Sequence, residues 1–202
     1  MDDIKIRLET PADEHIVEEL TRAAFDMPDR IDRSKVGCPL EHYMVHQLRK
    51  RDGIMELNFV AEVDGQIAGH IIYSHAHILR PDGTKIPVVN FGPLSVWPKY
   101  QRMGVGGALL RYSIAEARRL GHGAILFYGH PEYYPRFGFV PAENFSIADR
   151  NGQNYPAFMA MELKPGYLAE AAGRFIESDI YDDELNRKDA KEFDKGFNTG
   201  DK

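Results

Sequence analysis

Three runs rich in apolar, β-branched and aromatic residues occupy the middle of the chain, and they predict neighbouring strands. The runs are 58–63, 66–79 and 86–96. Asp64-Gly65 lies between the first two, and this pair is typical of a tight hairpin turn in which both central residues have positive φ. Pro81-Asp82-Gly83-Thr84 supplies the second turn. The pattern therefore predicts a three-stranded antiparallel meander.

Apolar positions at helical spacing predict two helices before the meander. Ile4 to Leu8 first alternates apolar and charged residues like a half-buried strand, and Thr10-Pro11-Ala12-Asp13 then provides a helix start. Residues 16–25 carry the apolar positions of the first helix, and 40–51 form the second. The segment between them, Asp26 to Pro39, has no periodicity and predicts a long loop.

A third amphipathic helix is predicted after residue 104. Its apolar stripe contains Val105, Ala108, Leu109, Tyr112, Ala115 and Leu120. Gly123 to Tyr128 is typical of a buried strand, so the order strand, helix, strand predicts a parallel crossover. Tyr155 to Leu163 alternates enough to predict a closing strand. Together these elements predict an α/β fold of the α+β kind, with a mixed central sheet flanked by helices.

The last part of the chain predicts an extension to this domain. We expect the domain to occupy residues 1–163 and the acidic extension to occupy residues 164–202. Leu168 to Phe175 is apolar enough to pack on the domain, whereas Asp182 to Lys202 is largely charged. The charged part predicts a solvated segment or an interaction tail.

Composition excludes several classes of protein. The chain has 202 residues, 43% of them hydrophobic, which is enough for a sizeable core. A formal net charge of −6 argues against a general nucleic-acid binder, because phosphate contacts require a basic surface. The single cysteine, Cys38, excludes an internal disulfide, and no apolar run approaches the ~20 residues that span a bilayer. The polar N-terminal segment lacks the pattern of a signal or transit peptide, so we expect a cytoplasmic protein without a membrane partner.

The glycine-rich segment Gln101 to Gly107 lies between a predicted strand and a predicted helix, and this arrangement favours anion binding. The first turn of a helix has N–H groups without intrahelical acceptors, and glycine lets a phosphate approach the backbone. Two familiar phosphate loops do not match. A P-loop would have Lys followed by Ser or Thr where Ala108 and Leu109 stand, and the dinucleotide fingerprint would have glycine at Leu109.

The residues Gln101-Arg102-Met103-Gly104-Val105-Gly106 fill the pattern Gln/Arg-x-x-Gly-x-Gly/Ala without a gap. This closely resembles the acyl-CoA-binding motif of the GNAT superfamily of N-acetyltransferases. Gly92-Pro93-Leu94-Ser95-Val96, with Pro98, resembles the strand that leads into the motif in that family. The resemblance covers about Ile4 to Leu163, is most specific from Asn90 to Phe139, and points to a branch of the family without an assigned substrate.

The resemblance implies a site for acetyl-CoA as co-substrate, without a metal, beside a splayed pair of parallel strands. Leu94, Ser95 and Val96 are expected to contact the pantetheine arm through their backbone groups. The motif begins at Gln101, and the residues expected to bind the pyrophosphate are Arg102, Met103, Gly104, Val105, Gly106 and Gly107. Backbone N–H groups near Val96 are expected to polarise the thioester carbonyl.

A second segment, His130 to Phe139, is rich in aromatic residues and predicts a short helical turn that ends at Gly138. It resembles the family's segment in which a tyrosine precedes a Gly-Phe pair by four residues, and Tyr134 has that position. In the family this tyrosine commonly protonates the departing CoA thiolate, which a phenol with a pKa of ~10 can do. Tyr133 is the neighbouring alternative, and packing roles for both rings remain open.

Several other polar residues are weaker candidates. His42 and His46 are four apart on one helical face, but no third metal ligand is evident, so a solvated or partner-facing pair is favoured. Cys38 has no recognisable His/Asp framework for nucleophilic catalysis. His70, His75 and His77 include a candidate base, although polar residues on a wet sheet face are the favoured interpretation. Asn90 has a suggestive strand position but is no base.

We expect an enzyme that transfers the acetyl group of acetyl-CoA directly to an amine of a small molecule or peptide. The sequence does not select among amines, does not assign the general base, and leaves open whether the protein forms a homodimer. A noncatalytic acyl-CoA sensor or interaction module is the main alternative. A site for another phosphorylated ligand is the third interpretation.

Overall fold

The structure, a computed structural model, describes residues 4–27 and 38–197. These residues form four α-helices. They are α1 Glu14–Phe25, α2 Glu41–Lys50, α3 Val105–Arg119 and α4 Asp183–Asp194. The first three confirm the predicted helices, and most of the predicted loop from Asp26 to Pro39 lies outside the described residues. Within 4–27 and 38–197, none of the helices combines the length and apolarity that crossing a membrane demands.

The described residues also form nine strands of a mixed sheet. They are β1 Lys5–Leu8, β2 Gly53–Val63, β3 Gln66–Leu79, β4 Lys85–Val96, β5 Ala124–Tyr128, β6 Val140–Pro141, β7 Ile147–Ala148, β8 Phe158–Glu162 and β9 Gly173–Ile176. The hydrogen-bonded order is β1-β2-β3-β4-β5-β8-β6, and β9 pairs with β3 and β7. β4 and β5 are parallel, whereas β5 and β8 are antiparallel. This arrangement confirms the predicted mixed α/β fold.

Both predicted hairpin turns of the meander are present. Asp64 and Gly65 have φ of 50° and 75°, as a two-residue turn of this type requires. The Arg80 N–H donates to the Thr84 carbonyl at 2.9 Å across the second turn. The strands β2, β3 and β4 are therefore neighbours in the sheet, as the sequence predicts.

The chain divides into two compact units. The first contains Met1–Ile72, Pro93–Leu110 and Asp179–Lys202, and the second contains Tyr73–Gly92 and Arg111–Ser178. Each unit has its own cluster of buried apolar side chains. The first cluster includes Val17, Leu40, Tyr43, Val45, Leu48, Val60, Ile72, Ile180 and Ala190. The second includes Ile78, Val88, Ala124, Leu126, Phe158, Leu168 and Phe175.

The residues after Leu163 form regular structure over much of their length. Strand β9 pairs antiparallel with β3, and Phe175 lies opposite Ile78. In α4, Ala190 is fully buried, and Arg22 Nε donates to Asp194 Oδ1 at 2.6 Å. Within the segment from Asp182 to Lys202, which was expected to be solvated or an interaction tail, residues 183–194 instead form a helix with a buried face. The helix has a narrow apolar face on a strongly charged background, so its packing surface is hard to see in the sequence.

A buried polar network belongs to the first unit. Arg49 donates to Glu9 Oε1 at 2.5 Å through Nη2 and to Glu18 Oε1 at 2.7 Å through Nη1. The Asn58 amide donates to Glu9, and Asn58 Oδ1 lies 2.7 Å from His70 Nε2. Burial opposes ionisation of Glu9, but hydrogen bonds and charges from His70 and Arg49 outweigh it and lower the pKa of Glu9 to about 2. The network therefore holds a buried carboxylate in its ionised form.

Candidate functional site

The glycine-rich segment Gln101 to Gly107, predicted to bind an anion, leads from the end of β4 into the first turn of α3. Gln101 to Gly104 is exposed, and α3 begins at Val105. The Ala108 N–H donates to the Gly104 carbonyl at 2.9 Å, as the first bond of the helix. The N–H groups of the helical residues before Ala108 therefore have no acceptor within the helix. The helix dipole adds about half a positive charge at this end, so the loop suits an anion.

The backbone of this loop is bent into an uncommon conformation. Arg102 has φ 64° and Gly104 has φ 89°. A positive φ is uncommon for a residue with a side chain and often marks a functional turn. A Cβ placed on Gly104 would meet no described atom within 4 Å, so the space over the loop is open to a ligand. Gln101 Nε2 donates to the Val96 carbonyl at 3.2 Å and ties the loop to β4.

Close packing against β3 fixes the start of α3. A Cβ on Gly69 would lie 2.9 Å from Val105 Cγ1 and 3.0 Å from both Leu109 Cδ1 and the Ser95 carbonyl oxygen. Only glycine leaves room for this approach without a shift of its neighbours. The Trp97 N–H donates to the Ala68 carbonyl at 3.0 Å, which also holds the end of β4 on β3. The glycine at position 69 of β3 therefore allows the first turn of α3 to pack closely against that strand.

The three residues expected to contact the pantetheine arm form the end of β4. Leu94 and Val96 are partly exposed, whereas Ser95 is buried and its Oγ donates to Thr21 Oγ1 at 3.0 Å. Among the described residues, the parallel pairing of β4 with β5 places Val89 opposite Ile125. Residues 94–96 therefore lie beyond that pair, which is compatible with the predicted splay of the two strands.

Tyr134 begins the predicted helical turn, a 3₁₀ helix from Tyr134 to Phe137 in the second unit. Gly138 ends it with φ 96°, and its N–H donates to the Pro135 carbonyl at 3.0 Å. The Tyr134 ring packs against Phe127 at a centroid distance of 4.5 Å. A Cβ on Gly129 would lie 2.3 Å from Tyr134 Cε2, so a glycine is required beside the ring.

The surroundings of Tyr134 keep its phenol protonated. Burial, assisted by the neighbouring Tyr133, raises the pKa of Tyr134 well above its ordinary value. The two tyrosine rings are in edge contact at 5.1 Å, and the Arg136 guanidinium lies 4.7 Å from the centre of the Tyr133 ring. A surface cavity of about 360 Å³ is lined by His130, Glu132, Tyr133, Tyr134 and Arg136. Tyr134 is thus a neutral phenol beside an open cavity, as a proton donor requires.

These elements match a known protein family. A family model described as an acetyltransferase (GNAT) domain matches residues 56–141, which contain β4, the glycine loop, α3 and Tyr134. Residues 56–141 therefore resemble a GNAT acetyltransferase domain. The predicted resemblance is confirmed over this span.

Individual proteins match over different lengths. The uncharacterized N-acetyltransferase YhbS of Escherichia coli K12 is 28% identical over 169 residues, which are 83% of this chain and 92% of that protein. YjhQ from the same organism is 38% identical over 85 residues, but the match covers 42% of this chain and less than half, 46%, of that relative.

Solved structures support the same fold. A GNAT-family acetyltransferase from Brucella melitensis, solved with acetyl-CoA, has a TM-score of 0.67 and 26% identity, over 90% of this chain and 99% of that one. The crystal structure of YhbS with CoA has a TM-score of 0.77 and 24% identity, over 90% and 93% of the two chains. The GNAT fold thus extends beyond the residues matched by the family model.

The weaker candidates His42, His46 and Cys38 lie on or beside α2. His42 is fully buried, with Nε2 3.2 Å from Asp194 Oδ1 outside hydrogen-bond geometry, and burial lowers its pKa to about 4. His46 Nδ1 lies 2.9 Å from Glu18 Oε1. The expectation of a solvated or partner-facing pair is therefore wrong for His42. No cluster of three His, Cys, Asp or Glu side chains that could hold a metal ion occurs within 4–27 and 38–197. Cys38 is buried, which raises the pKa of its thiol.

The three histidines of β3 separate into different environments. His70 is fully buried in the polar network with Glu9, so the wet sheet face predicted for it is wrong. His75 is exposed and His77 is partly exposed. Burial and the charge of Lys85 lower the pKa of His77. None of these contacts distinguishes a catalytic base among them.

Sequence reasoning missed one titratable residue outside the span matched to the GNAT domain. Glu177 follows β9, and Asn90 Nδ2 on β4 donates to its Oε2 at 2.7 Å. Burial raises the pKa of Glu177 to about 7, although Arg150 and Asn90 pull it down. The strand position of Asn90 is visible in the sequence, but the sequence gives no sign that a carboxylate of the extension reaches it.

Proposed function

We propose that the protein is an acetyl-CoA-dependent N-acetyltransferase that transfers an acetyl group directly to an amine. The observation that carries this proposal is the exposed loop Gln101–Gly104 with the first turn of α3 that follows it, inside the matched residues. The relatives solved with CoA and with acetyl-CoA support the choice of co-substrate. A phosphorylated ligand without pantetheine would leave the strand end before the loop without a role.

Each part of the loop and strand has a distinct task in this proposal. The N–H groups of Arg102 to Gly107 and the side chain of Arg102 would hold the pyrophosphate, because the open helix end attracts anions. Gln101 positions the loop through its bond to Val96. Leu94, Ser95 and Val96 would hold the pantetheine arm by strand-like hydrogen bonds from their backbone. Backbone N–H groups near Val96 would polarise the thioester carbonyl.

Acetyl-CoA supplies an acetyl group activated as a thioester. A neutral amine forms a C–N bond to the carbonyl carbon, the C–S bond breaks, and the amine loses a proton to a base. Tyr134 would give its phenolic proton to the sulfur and regain one from solvent. Its raised pKa keeps the phenol protonated throughout the neutral range, so the proton is present when the C–S bond breaks. The acetylated amine and CoA are then both neutral at the reacting atoms.

The acceptor in this proposal is an amine of a small molecule or a peptide. The net charge of −6 supports a cationic amine acceptor in preference to a nucleic acid, since like charges repel. A cytoplasmic location accords with the single cysteine, Cys38, which remains free.

Thiol release from acetyl-CoA with a panel of small and peptide amines tests the proposal. We expect release that depends on an amine, with an acetylated product detected by mass spectrometry. Gly104→Ala puts a Cβ into the proposed pyrophosphate site at Arg102 to Gly107. It should raise the KM for acetyl-CoA at least tenfold, which is about 1.4 kcal/mol of binding. Gly83→Ala is the matched control, because Gly83 has φ 86° and a Cβ there also meets nothing within 4 Å.

The control separates the effect of backbone strain from the effect of blocking the proposed pyrophosphate site. Both glycines have positive φ, so both alanine variants carry a similar strain. Equal KM values for acetyl-CoA in the two variants would contradict the proposed pyrophosphate site at Arg102 to Gly107. Acetyl-CoA binding without amine-dependent thiol release would instead favour the noncatalytic sensor.

A further inference from the structure

The cavity beside Tyr134 has the size of a site for a small molecule. Its volume is about 360 Å³, and its lining residues, His130, Glu132, Tyr133, Tyr134 and Arg136, all belong to the second unit. This volume is at the lower end of the range for small-molecule sites, so it suits a ligand of amino-acid size. A molecule in the cavity lies beside the residue that is proposed to protonate the sulfur of acetyl-CoA.

Two opposite charges line this cavity without cancelling each other. Glu132 and Arg136 are both exposed, and in the part of the chain that the structure describes neither side chain forms an ion pair. They are four positions apart in the sequence, yet they do not pair with each other. One carboxylate and one guanidinium therefore remain available to a ligand in the cavity.

The Tyr133 ring restricts the position of the positive charge. The Arg136 guanidinium lies 4.7 Å from the centre of that ring, and the Tyr133 and Tyr134 rings are in edge contact at 5.1 Å. A guanidinium that stacks on an aromatic face keeps its N–H groups free along its edge, and that edge matches the two oxygens of a carboxylate. Contacts thus run from a preorganised carboxylate-binding group to the proposed proton donor.

We propose that the cavity binds the acceptor and that the acceptor is an amino acid, whose carboxylate pairs with Arg136 while Glu132 attracts its ammonium group. This inference rests on the proposed acetyltransferase function and names its substrate class. In the cavity the ammonium loses a proton to solvent, and the neutral nitrogen bonds to the thioester carbonyl carbon. The C–S bond breaks, Tyr134 protonates the sulfur, and the amine gives its remaining extra proton to a base. Arg136 and Glu132 exchange no proton.

The pair of charges disfavours other classes of amine. A polyamine would bring further positive charge toward Arg136, and a phosphorylated amine would bring about two negative charges toward Glu132. An amine without an acidic group would leave the guanidinium without a partner. An amino acid presents one charge of each sign, as the cavity does.

The test measures thiol release with three forms of each of several amino acids: the free acid, its carboxamide and the decarboxylated amine. In the wild type, kcat/KM should be about tenfold higher for the free acid than for the carboxamide, because hydrogen bonds between two charged groups are lost with the carboxylate. Arg136→Gln should abolish this preference while the KM for acetyl-CoA stays within about twofold of wild type. Arg136→Lys keeps the charge without the planar fork and should retain part of the preference.

Arg111→Gln is the matched control. The Arg111 guanidinium also lies over an aromatic ring, 5.7 Å from the centre of Phe137, but Arg111 does not line the cavity. This variant removes the same charge from the same unit, so it should keep the wild-type preference for free acids.

Two further measurements separate the roles of the charges. Glu132→Gln should raise the KM for all three forms of the acceptor by about threefold, as expected for an exposed ion pair, without abolishing the preference. Calorimetry gives a readout without turnover: binding of an N-acetylated amino acid to the CoA-bound protein should weaken about tenfold in Arg136→Gln.

The outcomes separate this inference from the function on which it rests. Equal kcat/KM for free acids and carboxamides in the wild type, or a preference unchanged by Arg136→Gln, would overturn the acceptor class and leave the acetyltransferase intact. A higher KM for acetyl-CoA in Arg136→Gln, with the preference unchanged, would assign Arg136 to the co-substrate and also overturn it. Acetyl-CoA binding without acetylation of any amine by the wild type would overturn both. The wild-type comparison decides the acceptor class even where Arg136→Gln fails to fold.

Discussion

The ring of Tyr134 meets the ring of Phe127 edge-on, with centroids 4.5 Å apart and planes at 74°. Edge contacts of this kind are favourable and directional, so they restrict the ring to one orientation. Phe139 adds a second edge contact at 6.0 Å. The phenol that we assign to thiolate protonation is therefore held by apolar neighbours, and the same burial keeps its proton in place.

Tyr134→Phe tests the proposed proton donor. The ring and its packing remain, but the hydroxyl is lost, so kcat should fall by about 10²-fold. The dissociation constant for CoA, measured by calorimetry, should be unchanged because the loop is untouched. Tyr133→Phe is the matched control and should retain activity. Equal losses in the two variants, or none in Tyr134→Phe, would remove Tyr134 from the mechanism.

Gly69→Ala tests whether packing on β3 fixes the start of α3. The added Cβ would lie 2.9 Å from Val105 Cγ1, so the first turn of the helix must shift. Overpacking of this kind destabilises by roughly 1–3 kcal/mol. Unfolding by denaturant should reveal this loss, together with weaker CoA binding. At Gly196 a Cβ meets nothing within 4 Å, so Gly196→Ala should leave both quantities near wild type.

The buried network around Glu9 predicts how stability depends on pH. The pKa of Glu9 is lowered from 4.5 to about 2, so its ionised form stabilises the fold above pH 4.5, and this contribution is lost as the pH falls toward 2. The linked free energy is on the order of 3 kcal/mol. Glu9→Gln should be less stable at pH 7, with a shallower loss in that acid range.

Denaturant unfolding at several pH values measures this effect. The difference between wild type and Glu9→Gln isolates Glu9 from other carboxylates, such as Asp13 beside Arg7. Glu143→Gln, at an exposed glutamate, should follow the wild-type curve. Parallel curves for wild type and Glu9→Gln would contradict the assigned role of the network.

Helix α4 provides a test of the packed extension. Ala190 is fully buried in the first unit, so Ala190→Asp would bury a charge and should lower the free energy of unfolding by more than ~2 kcal/mol. Leu185 on the same helix is 67% exposed, so Leu185→Asp should have little effect. Thermal unfolding of both variants checks this. Similar melting temperatures would mean that the face of α4 bearing Ala190 is solvated.

The sequence predicts the parts of this protein that depend on local chemistry. The turn at Asp64-Gly65 needs two residues with positive φ, and the glycine loop before α3 needs an open backbone, so both are visible as short motifs. The order of strands follows from these turns and from the parallel crossover. Tyr134 is likewise proposed as a site residue from its fixed spacing to Gly138.

Features formed between distant segments were not predictable in the same way. The bond from Asn90 to Glu177 joins residues 87 positions apart, and no local pattern records it. His70 lies on a strand whose alternation suggests a wet face, yet it is buried, with Nε2 2.7 Å from Asn58 Oδ1 and 3.7 Å from Glu9 Oε2. The buried face of α4 is hard to recognise in the sequence, because charged residues lie on either side of it. In each case long-range packing decides the environment, and periodicity alone does not report it.

The central claim is that the loop from Gln101 to Gly107 binds CoA, and thermal unfolding with ligands tests it most directly. Acetyl-CoA, CoA, NADH and ATP should be compared side by side on the full chain. A ligand at about a hundred times its dissociation constant stabilises the fold by ~2.7 kcal/mol. We predict this stabilisation for acetyl-CoA and CoA, with little from NADH or ATP. A folded protein that shows no response to either CoA species, or an equal response to ATP, would contradict the claim.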